Sequence, residues 1–157
     1  MSPTYTVLQT IGKGSYGHVR LVRRNSDNTL LVRKDIDYRG LSDRERRQLV
    51  EEVNILRDLV HPNIIRYEKH VVDPSRKMIY ILMEYCSGGD LLTMIKQVKQ
   101  QGGRVEEDYI WRIFAQLVSA LYECHVGIGE KKGDAGIGAI LHRDLKAANG
   151  MTIVLVL

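Results

Sequence analysis

Eight consecutive residues, His142 to Asn149, combine side chains that suit phosphoryl transfer. Asp144 supplies a carboxylate that could accept a hydroxyl proton, and Lys146 supplies a cation for a moving phosphoryl group. Asn149 supplies an amide oxygen that could bind a metal ion. These three side chains must share a short, tightly constrained loop, because they lie so close together in the pattern His-Arg-Asp-Leu-x-x-x-Asn.

A glycine-rich segment, Gly12 to Val19, lies between two stretches that alternate apolar and polar residues. We predict a strand, a turn and a second strand here, with glycines that let backbone N–H groups approach phosphates closely. Two alternatives stay open. A dinucleotide-binding fingerprint would use Asp35 as its ribose acid, about 20 residues on, but it needs a helix directly after the glycines. A glycine-rich hairpin without a ligand is the other alternative.

Lys34 lies in a third predicted strand and is followed by a helix that could supply its partner. The helix begins with the capping box Ser42-Asp43-Arg44-Glu45. Its core-facing stripe is predicted to contain four apolar residues, namely Leu49, Val53, Leu56 and Val60. Glu52 falls on the same face, where a bare carboxylate would be costly to bury. We therefore expect Glu52 to pair with Lys34, whereas Glu51 points to solvent.

The order of these elements predicts an α+β fold, a five-stranded antiparallel sheet with one helix followed by an incomplete helical region. Residues 1–83 form the sheet unit, and 84–90 form a hinge with a glycine pair. Residues 91–149 form the helical part, which includes a flexible glycine-rich insertion at 127–140. Residues 150–157 form an apolar tail. The predicted strands are Tyr5 to Ile11, His18 to Arg24, Thr29 to Ile36, Ile64 to Val72 and Met78 to Met83.

The longest predicted helix runs from Val105 to His125. Its apolar residues recur at spacings of three and four, which indicates a core helix. They are Ile110, Phe114, Leu117, Leu121 and Cys124, with Trp111 and Tyr122 off this stripe. We expect the stripe to lack partners within the chain and to be prone to aggregation.

Composition and charge narrow the function classes only broadly. The 157 residues are 44% hydrophobic and 27% charged, which is typical of a globular domain. The net charge of +4 fits nucleotide phosphate, nucleic acid or a membrane surface equally well. A nucleic-acid-binding domain has little support, because arginines such as those of Arg44 to Arg47 alternate with acids on a helix. Two cysteines, Cys86 and Cys124, cannot build a disulfide framework, so a reducing compartment is expected.

Taken in order, these motifs resemble those of eukaryotic protein kinases, from residue 5 to residue 149. Lys146, two residues after Asp144, resembles the serine/threonine kinases. The long insertion before His142 resembles that of the fungal NIMA-related mitotic kinases, and a closer resemblance to the NIMA-related family as a whole rests on seven segments. They are Gly12 to Gly17, Arg33-Lys34, Glu52-Val53-Asn54, His61-Pro62-Asn63, Met83-Glu84-Tyr85-Cys86, Gly88-Gly89-Asp90 and Trp111-Arg112-Ile113.

The resemblance implies ATP and Mg²⁺ as cofactors and assigns each site residue a role. Asp144 would be the catalytic base, Lys146 would face the γ-phosphate, and Asn149 would hold Mg²⁺. Lys34, held by Glu52, would bind the α- and β-phosphates. The remaining nucleotide contacts would come from Ile11, Gly12, Gly14, Gly17, Val19, Met83 as gatekeeper, Glu84 and Cys86 at the adenine, and Asp90 at the ribose.

Two features depart from the family pattern. Ala147 stands where most members have proline, which should cost on the order of 1 kcal/mol. No Asp-Phe-Gly motif occurs in the chain, so the principal Mg²⁺ ligand is missing. We therefore expect a truncated kinase fragment that is inactive, or nearly so, in isolation. The alternative is a non-catalytic, pseudokinase-like module that binds nucleotide or a partner.

The resemblance also implies partners and a location. We expect protein substrates phosphorylated on serine or threonine, no nucleic acid and no membrane. The N-terminus lacks a signal sequence, and no run reaches the ~20 apolar residues of a membrane span. Family members often dimerise through a C-terminal region that this sequence does not contain. Localisation in cytoplasm and nucleus follows from the family and from the cysteine usage.

Overall fold

The computed structural model describes residues 4–14, 17–127 and 139–150. The chain forms two compact units. The first combines the chain up to Arg57 with Arg66–Tyr85, and the second combines Asp58–Ile65 with the chain from Cys86 onward.

The first unit contains the predicted five-stranded antiparallel sheet, in the order β1-β2-β3-β5-β4. The strands are β1 (Tyr5–Gly14), β2 (Gly17–Arg24), β3 (Leu30–Asp37), β4 (Tyr67–Asp73) and β5 (Met78–Glu84). The predicted α+β class is confirmed. Because β3 lies in the middle, its residues pair with β2 on one side and β5 on the other.

Both faces of the sheet contain buried apolar residues, with Ile36 and Ile81 on one face and a cluster from β2, β3 and β5 on the other. Val22, Leu31 and Leu82 are almost fully buried, and Tyr5 of β1 packs against them. The turn before β3 contains residues that are typical of tight turns. Asn28 adopts a left-handed backbone with φ 60°, and the Asp27 carboxylate accepts a hydrogen bond from the Thr29 N–H at 3.0 Å.

Helix α1 spans Asp43–Asp58 and begins with the predicted capping box. Glu45 Oε2 accepts hydrogen bonds from the backbone N–H of Ser42 at 2.8 Å and from its hydroxyl at 2.7 Å. Leu49 and Val53 are buried as expected. The prediction for Val60 is wrong, since the helix ends before it and its side chain is 70% exposed.

The second unit contains α2 (Leu91–Gln100) and α3 (Glu107–Tyr122). A π-helical turn, Glu123–Gly127, continues α3, and a short 3-10 turn spans Ala147–Asn149. The predicted helix Val105 to His125 is therefore shorter as a regular α-helix. No helix within the described ranges is long and apolar enough to cross a membrane.

The predicted core stripe of α3 is buried only at its C-terminal end. Ala120 and Cys124 are fully enclosed, whereas Phe114 is 53% exposed and Ile110 is similarly open. The helical spacing indicates a core position for Phe114 and Ile110, but both side chains are exposed, as expected for a stripe that lacks partners within the chain. Trp111, off the stripe, meets Phe114 edge to face at 6.0 Å between ring centroids.

Two predicted segments fall wholly or largely outside the described residues. The glycine-rich insertion at 127–140 is described only at its two ends. The apolar tail at 150–157 is described only at Gly150.

Candidate active site

The glycine-rich segment of the first unit forms the end of the β1–β2 hairpin, with Gly14 opposite Gly17. Ser15 and Tyr16 lie outside the described residues. Val19 pairs with Gly12, and a Cβ placed on Gly12 would meet the Val19 Cβ at an ordinary 3.6 Å. Ile11, just before the glycines, is exposed. A strand follows the glycines, so the dinucleotide-binding alternative, which needs a helix there, is excluded.

Gly17 is a glycine for a reason that the sequence did not indicate. A Cβ at this position would lie 1.8 Å from the backbone oxygen of Asp35, in the neighbouring strand β3. That distance is far inside van der Waals contact, so β2 and β3 can pair this closely only without a side chain at Gly17. The glycine segment and the strand that carries Lys34 are therefore in direct backbone contact.

Lys34 lies in the middle of β3, opposite Val19 of β2 and Ile81 of β5. Its side chain is half-buried. Because side chains alternate along a strand, Lys34 faces away from its neighbours Arg33 and Asp35. The predicted location of Lys34 on the third strand is thus confirmed, and the structure places this strand in the middle of the sheet beside β2. The role of Lys34 toward phosphate stays a prediction.

The expected ion pair between Lys34 and Glu52 is absent from the described residues of the structure. Glu52 is exposed and accepts a long hydrogen bond, 3.4 Å, from the side-chain amide of Gln48 one turn earlier. The expectation was wrong in its premise, because a solvated carboxylate needs no buried cation. Glu51 is exposed as well, so burial does not distinguish the two acids.

Asp35, the residue that the dinucleotide alternative would use for ribose, is engaged inside the sheet. It is only 5% exposed, and its two carboxylate oxygens receive hydrogen bonds from Arg33 at 2.6 and 2.9 Å. A carboxylate held in this way has no free edge to offer a sugar hydroxyl. This arrangement is a second reason to reject that alternative.

The adenine-binding residues predicted in the first unit lie at the end of β5. Met83, the expected gatekeeper, is buried. The N–H of Glu84 donates to the backbone oxygen of Arg66 at 2.9 Å, and the Glu84 carboxylate accepts from the Arg66 N–H at 3.3 Å. The Glu84 N–H is therefore occupied, so a nucleotide could use only its carbonyl oxygen.

The two predicted nucleotide contacts in the second unit lie just before α2. The Cys86 carbonyl accepts a hydrogen bond from the Gly89 N–H at 3.4 Å, in a turn where Gly89 has φ +72°. Asp90 is the N-cap of α2, accepting from the Thr93 N–H at 2.8 Å and from its hydroxyl at 2.9 Å. Sequence reasoning missed the cap, although an aspartate directly before an apolar helix is its usual signal.

The loop His142 to Asn149 brings its three predicted catalytic side chains together. Lys146 Nζ donates to both carboxylate oxygens of Asp144, at 3.0 and 2.7 Å. Asn149 Nδ2 donates to the Asp144 backbone oxygen at 2.9 Å and to its carboxylate at 3.0 Å. The chain can turn this tightly because Arg143 adopts a left-handed backbone with φ 61°, which is uncommon for a bulky residue.

The charge state of Asp144 follows from these contacts. Hydrogen bonds from Lys146 and then from Asn149 lower the pKa of Asp144 from its ordinary value. The exposed carboxylate is therefore ionised at neutral pH and able to accept a proton. The same hydrogen bonds reduce its basicity, so a ligand that drew Lys146 away would make Asp144 a stronger base.

The first turn of α2 and the backbone of the 3-10 turn hold this loop in place within the second unit. The Leu91 N–H donates to the Gly150 carbonyl at 2.8 Å. A Cβ on Gly150 would lie 2.8 Å from Leu91 Cδ1, so the two residues pack tightly. Elsewhere in this unit, His61 Nε2 meets Ser119 Oγ of α3 at 3.0 Å.

The donor set at the loop fits a hard divalent cation that also binds a phosphate ligand. Asn149 uses its amide nitrogen toward Asp144, which leaves Oδ1 as the atom for a metal ion. Mg²⁺ usually takes one or two protein oxygens and completes its shell with phosphates and waters. Within the described ranges, no group of three His, Cys, Asp or Glu side chains could hold a metal without such a ligand.

Comparison with protein families gives one match that covers nearly the whole chain. The protein kinase domain matches residues 5–153. The match includes the glycine segment, Lys34 and the loop from His142 to Asn149. The family named from the sequence motifs is therefore confirmed.

Individual relatives agree with this match. The chain is 45% identical over 145 residues to the serine/threonine-protein kinase Nek2 of Homo sapiens, covering 92% of this chain and 31% of that protein. It is 44% identical over 161 residues to the G2-specific protein kinase nimA of Emericella nidulans, covering 92% and 23%. The G2-specific protein kinase fin1 of Schizosaccharomyces pombe is 37% identical over 153 residues. The chain thus spans about a third or less of the length of these relatives.

Proposed function

The chain belongs to the protein kinase domain family, and we propose that it carries the nucleotide-binding and catalytic-loop residues of an ATP-dependent serine/threonine kinase. The family uses ATP, a divalent metal ion and protein substrates. The serine/threonine assignment rests on similarity to NIMA-related kinases. The observation that carries the proposal is the contact of Lys146 and Asn149 with the Asp144 carboxylate.

The first unit would bind the nucleotide through its sheet. Gly12, Gly14 and Gly17 permit close approach of backbone N–H groups to phosphates, and Ile11 and Val19 offer apolar cover for the base. Lys34, half-buried and without a carboxylate partner among the described residues, has its ammonium available for the α- and β-phosphates. Glu52 would approach Lys34 only after α1 moves or its side chain turns inward.

The remaining nucleotide contacts would come from the chain between the sheet and α2. The Glu84 carbonyl and the Cys86 backbone would hydrogen-bond the adenine beside Met83. Asp90 would reach the ribose only by giving up at least one of its two hydrogen bonds to Thr93. The ribose and Thr93 would therefore compete for the Asp90 carboxylate.

In the second unit, Asp144 would accept the proton of the substrate hydroxyl as that oxygen forms a bond to the γ-phosphorus, while the bond between this phosphorus and the β–γ bridging oxygen breaks and ADP leaves. Lys146 would turn from Asp144 to the γ-phosphate and offset part of the negative charge of the phosphate. Because Asp144 would lose the Lys146 hydrogen bonds in the same movement, its carboxylate would become more basic. Asn149 Oδ1 would hold Mg²⁺, which when bound neutralises charge on the phosphate oxygens.

Partners and location are proposed from the same relatives. Proteins with accessible serine or threonine hydroxyls are the expected substrates, and the whole protein would act in cytoplasm and nucleus. Dimerisation, which the resemblance implies for longer family members, belongs to the same proposal. Activity of the whole protein is also proposed, because this chain spans so little of its relatives.

Nucleotide binding by the full 157-residue chain tests the role of Lys34. Affinity for a fluorescent ATP analogue with MgCl₂ would be measured for the chain, for Lys34→Met and for Lys96→Met. Lys96 is an exposed lysine of α2 and serves as the matched control. Loss of a charged hydrogen-bond donor to phosphate should weaken binding by at least about tenfold in Lys34→Met. Equal affinity for all three proteins would contradict the proposal.

A further inference from the structure

Asp35 is the only charged residue that is buried within the part of the chain that the structure describes. Arg33 donates to both of its oxygens, and Arg20 Nε lies 3.1 Å from Oδ2 in an ion pair without an aligned hydrogen bond. The Arg33 guanidinium also stacks over the Tyr80 ring, 4.8 Å from its centroid. One carboxylate therefore holds two arginines on one face of the sheet.

This arrangement offsets a repulsion that the strand register creates. Arg20 of β2 and Arg33 of β3 are direct cross-strand partners. Like charges in that position destabilise a sheet, and Asp35 lies between the two guanidinium groups. Without its carboxylate, two partly buried cations would face each other with no negative charge between them, which is a costly arrangement.

The two residues that form the strongest of these contacts flank Lys34 in sequence. Arg33 and Asp35 point to the same face of β3, and their hydrogen bonds bridge the residue between them on the face opposite to its side chain. The bridge therefore fixes the strand pleat at Lys34.

The backbone of Asp35 adds a second constraint. Its carbonyl oxygen is the group that approaches Gly17 too closely for any side chain. Asp35 thus connects the strand after the glycine segment with the strand that carries Lys34. A shift of Asp35 would therefore move the start of β2 relative to Lys34.

We infer that Asp35 is a positioning residue for nucleotide binding, which holds Lys34 in place through the Arg33–Asp35 bridge. The inference rests on the proposed function, in which Lys34 binds the phosphates. Asp35 itself touches no nucleotide. Its effect reaches the ligand only through Lys34, and this dependence separates a positioning role from general support of the fold.

A double-mutant cycle on the full chain tests that dependence. Affinity for the fluorescent ATP analogue would be measured for Asp35→Asn alone, for Lys34→Met alone and for the two combined. Asp35→Asn should weaken binding by about tenfold when Lys34 is present and have little effect when Lys34 is methionine, a coupling typical of residues in one network. Asp37→Asn is the matched control, since Asp37 lies on the same strand and pairs with Arg39 near the surface.

A second variant keeps the test decisive if Asp35→Asn fails to fold. Arg33→Met removes the bridge while leaving Asp35 paired with Arg20, and the same loss of affinity is expected, again only when Lys34 is present. Hydrogen exchange without nucleotide gives an independent measurement. Amides of residues 32–36 should exchange faster in either variant, while amides of β4, which does not pair with β3, stay unchanged.

Two results would overturn the inference, and they are distinguishable. Equal loss of affinity in both Lys34 backgrounds, with faster exchange throughout the sheet, would make Asp35 a residue of general stability only. If Lys34→Met alone left the affinity unchanged, the proposed phosphate role of Lys34 would fail, and the positioning role would fail with it.

Discussion

A side chain on Gly17 would collide with the backbone of Asp35, since a Cβ there would lie 1.8 Å from the Asp35 carbonyl oxygen. The third glycine of the glycine-rich segment is thus required by strand packing in the protein without ligand. Gly12 has no such restriction, because its Cβ would meet Val19 at 3.6 Å.

Gly17→Ala should destabilise the fold much more than Gly12→Ala. The added methyl group must push β2 from β3, and overpacking of this kind typically costs about 1–3 kcal/mol. Urea unfolding of the two variants beside the unchanged chain measures the difference. Equal stability of both variants would contradict the close backbone contact between Gly17 and Asp35.

Asp90→Ala should destabilise α2 by about 1 kcal/mol, because the N-cap hydrogen bonds to Thr93 are lost. The Thr93 N–H lowers the pKa of Asp90. The ionised Asp90 side chain therefore makes its full contribution to stability at pH values above the ordinary aspartate pKa. This contribution is lost as the pH falls through the lower pKa that Asp90 has in the folded chain.

Asp90→Asn is the matched control for this pH dependence, since asparagine also caps helices but does not titrate. Its difference in unfolding free energy from the unchanged chain should shrink as the pH is lowered. A difference that stays constant with pH would show that the Asp90 charge does not contribute.

Lys146→Met should raise the pKa of Asp144 toward the ordinary aspartate value. Lys146 supplies the largest of the contacts that lower this pKa, and its removal leaves the weaker contribution of Asn149. Carboxyl NMR titration of Asp144 would show the titration moving to higher pH. Lys96→Met serves as the control and should leave the titration in place; an unmoved titration in Lys146→Met would contradict the observed ion pair.

Ala147→Pro should stabilise the catalytic loop by about 0.4–1 kcal/mol. Lys146, the preceding residue, already has the extended backbone that a following proline requires, with φ −158° and ψ 159°. Ala148→Pro should destabilise instead, because its preceding residue lies in the 3-10 turn. Thermal unfolding of both variants would measure these changes in stability. A higher unfolding temperature for Ala148→Pro would contradict the backbone conformation of the loop.

Patterns along the sequence were enough for the sheet, the capping box of α1 and the location of the catalytic loop. Alternating residues and turn signals act locally, so they could be read without the rest of the chain. The contacts of Asp35 could not be predicted from the sequence, because they depend on the register between strands. Only the pairing of β2 with β3 shows that Arg20 and Arg33 are neighbours.

The prediction for Glu52 failed for a related reason. Periodicity placed Glu52 beside the apolar stripe of α1. The burial of a residue in such a position depends on which other elements pack over the helix, and periodicity does not show this. The structure leaves Glu52 exposed, next to Gln48. Phe114 shows the same dependence, since helical spacing alone indicates a core position, but its exposure in the described part of the second unit fits the expectation that the stripe lacks partners.

Phosphotransfer by a chimera tests the central claim, the role of Asp144, most directly. Residues 1–149 of this chain would be joined to a kinase-domain segment that begins after the matching asparagine and contains the family's Asp-Phe-Gly motif. The chimera should phosphorylate a serine or threonine peptide, and Asp144→Asn should lower kcat by about 10²-fold or more, the usual contribution of a general base. An active chimera whose kcat is unchanged by Asp144→Asn would contradict the role proposed for this loop.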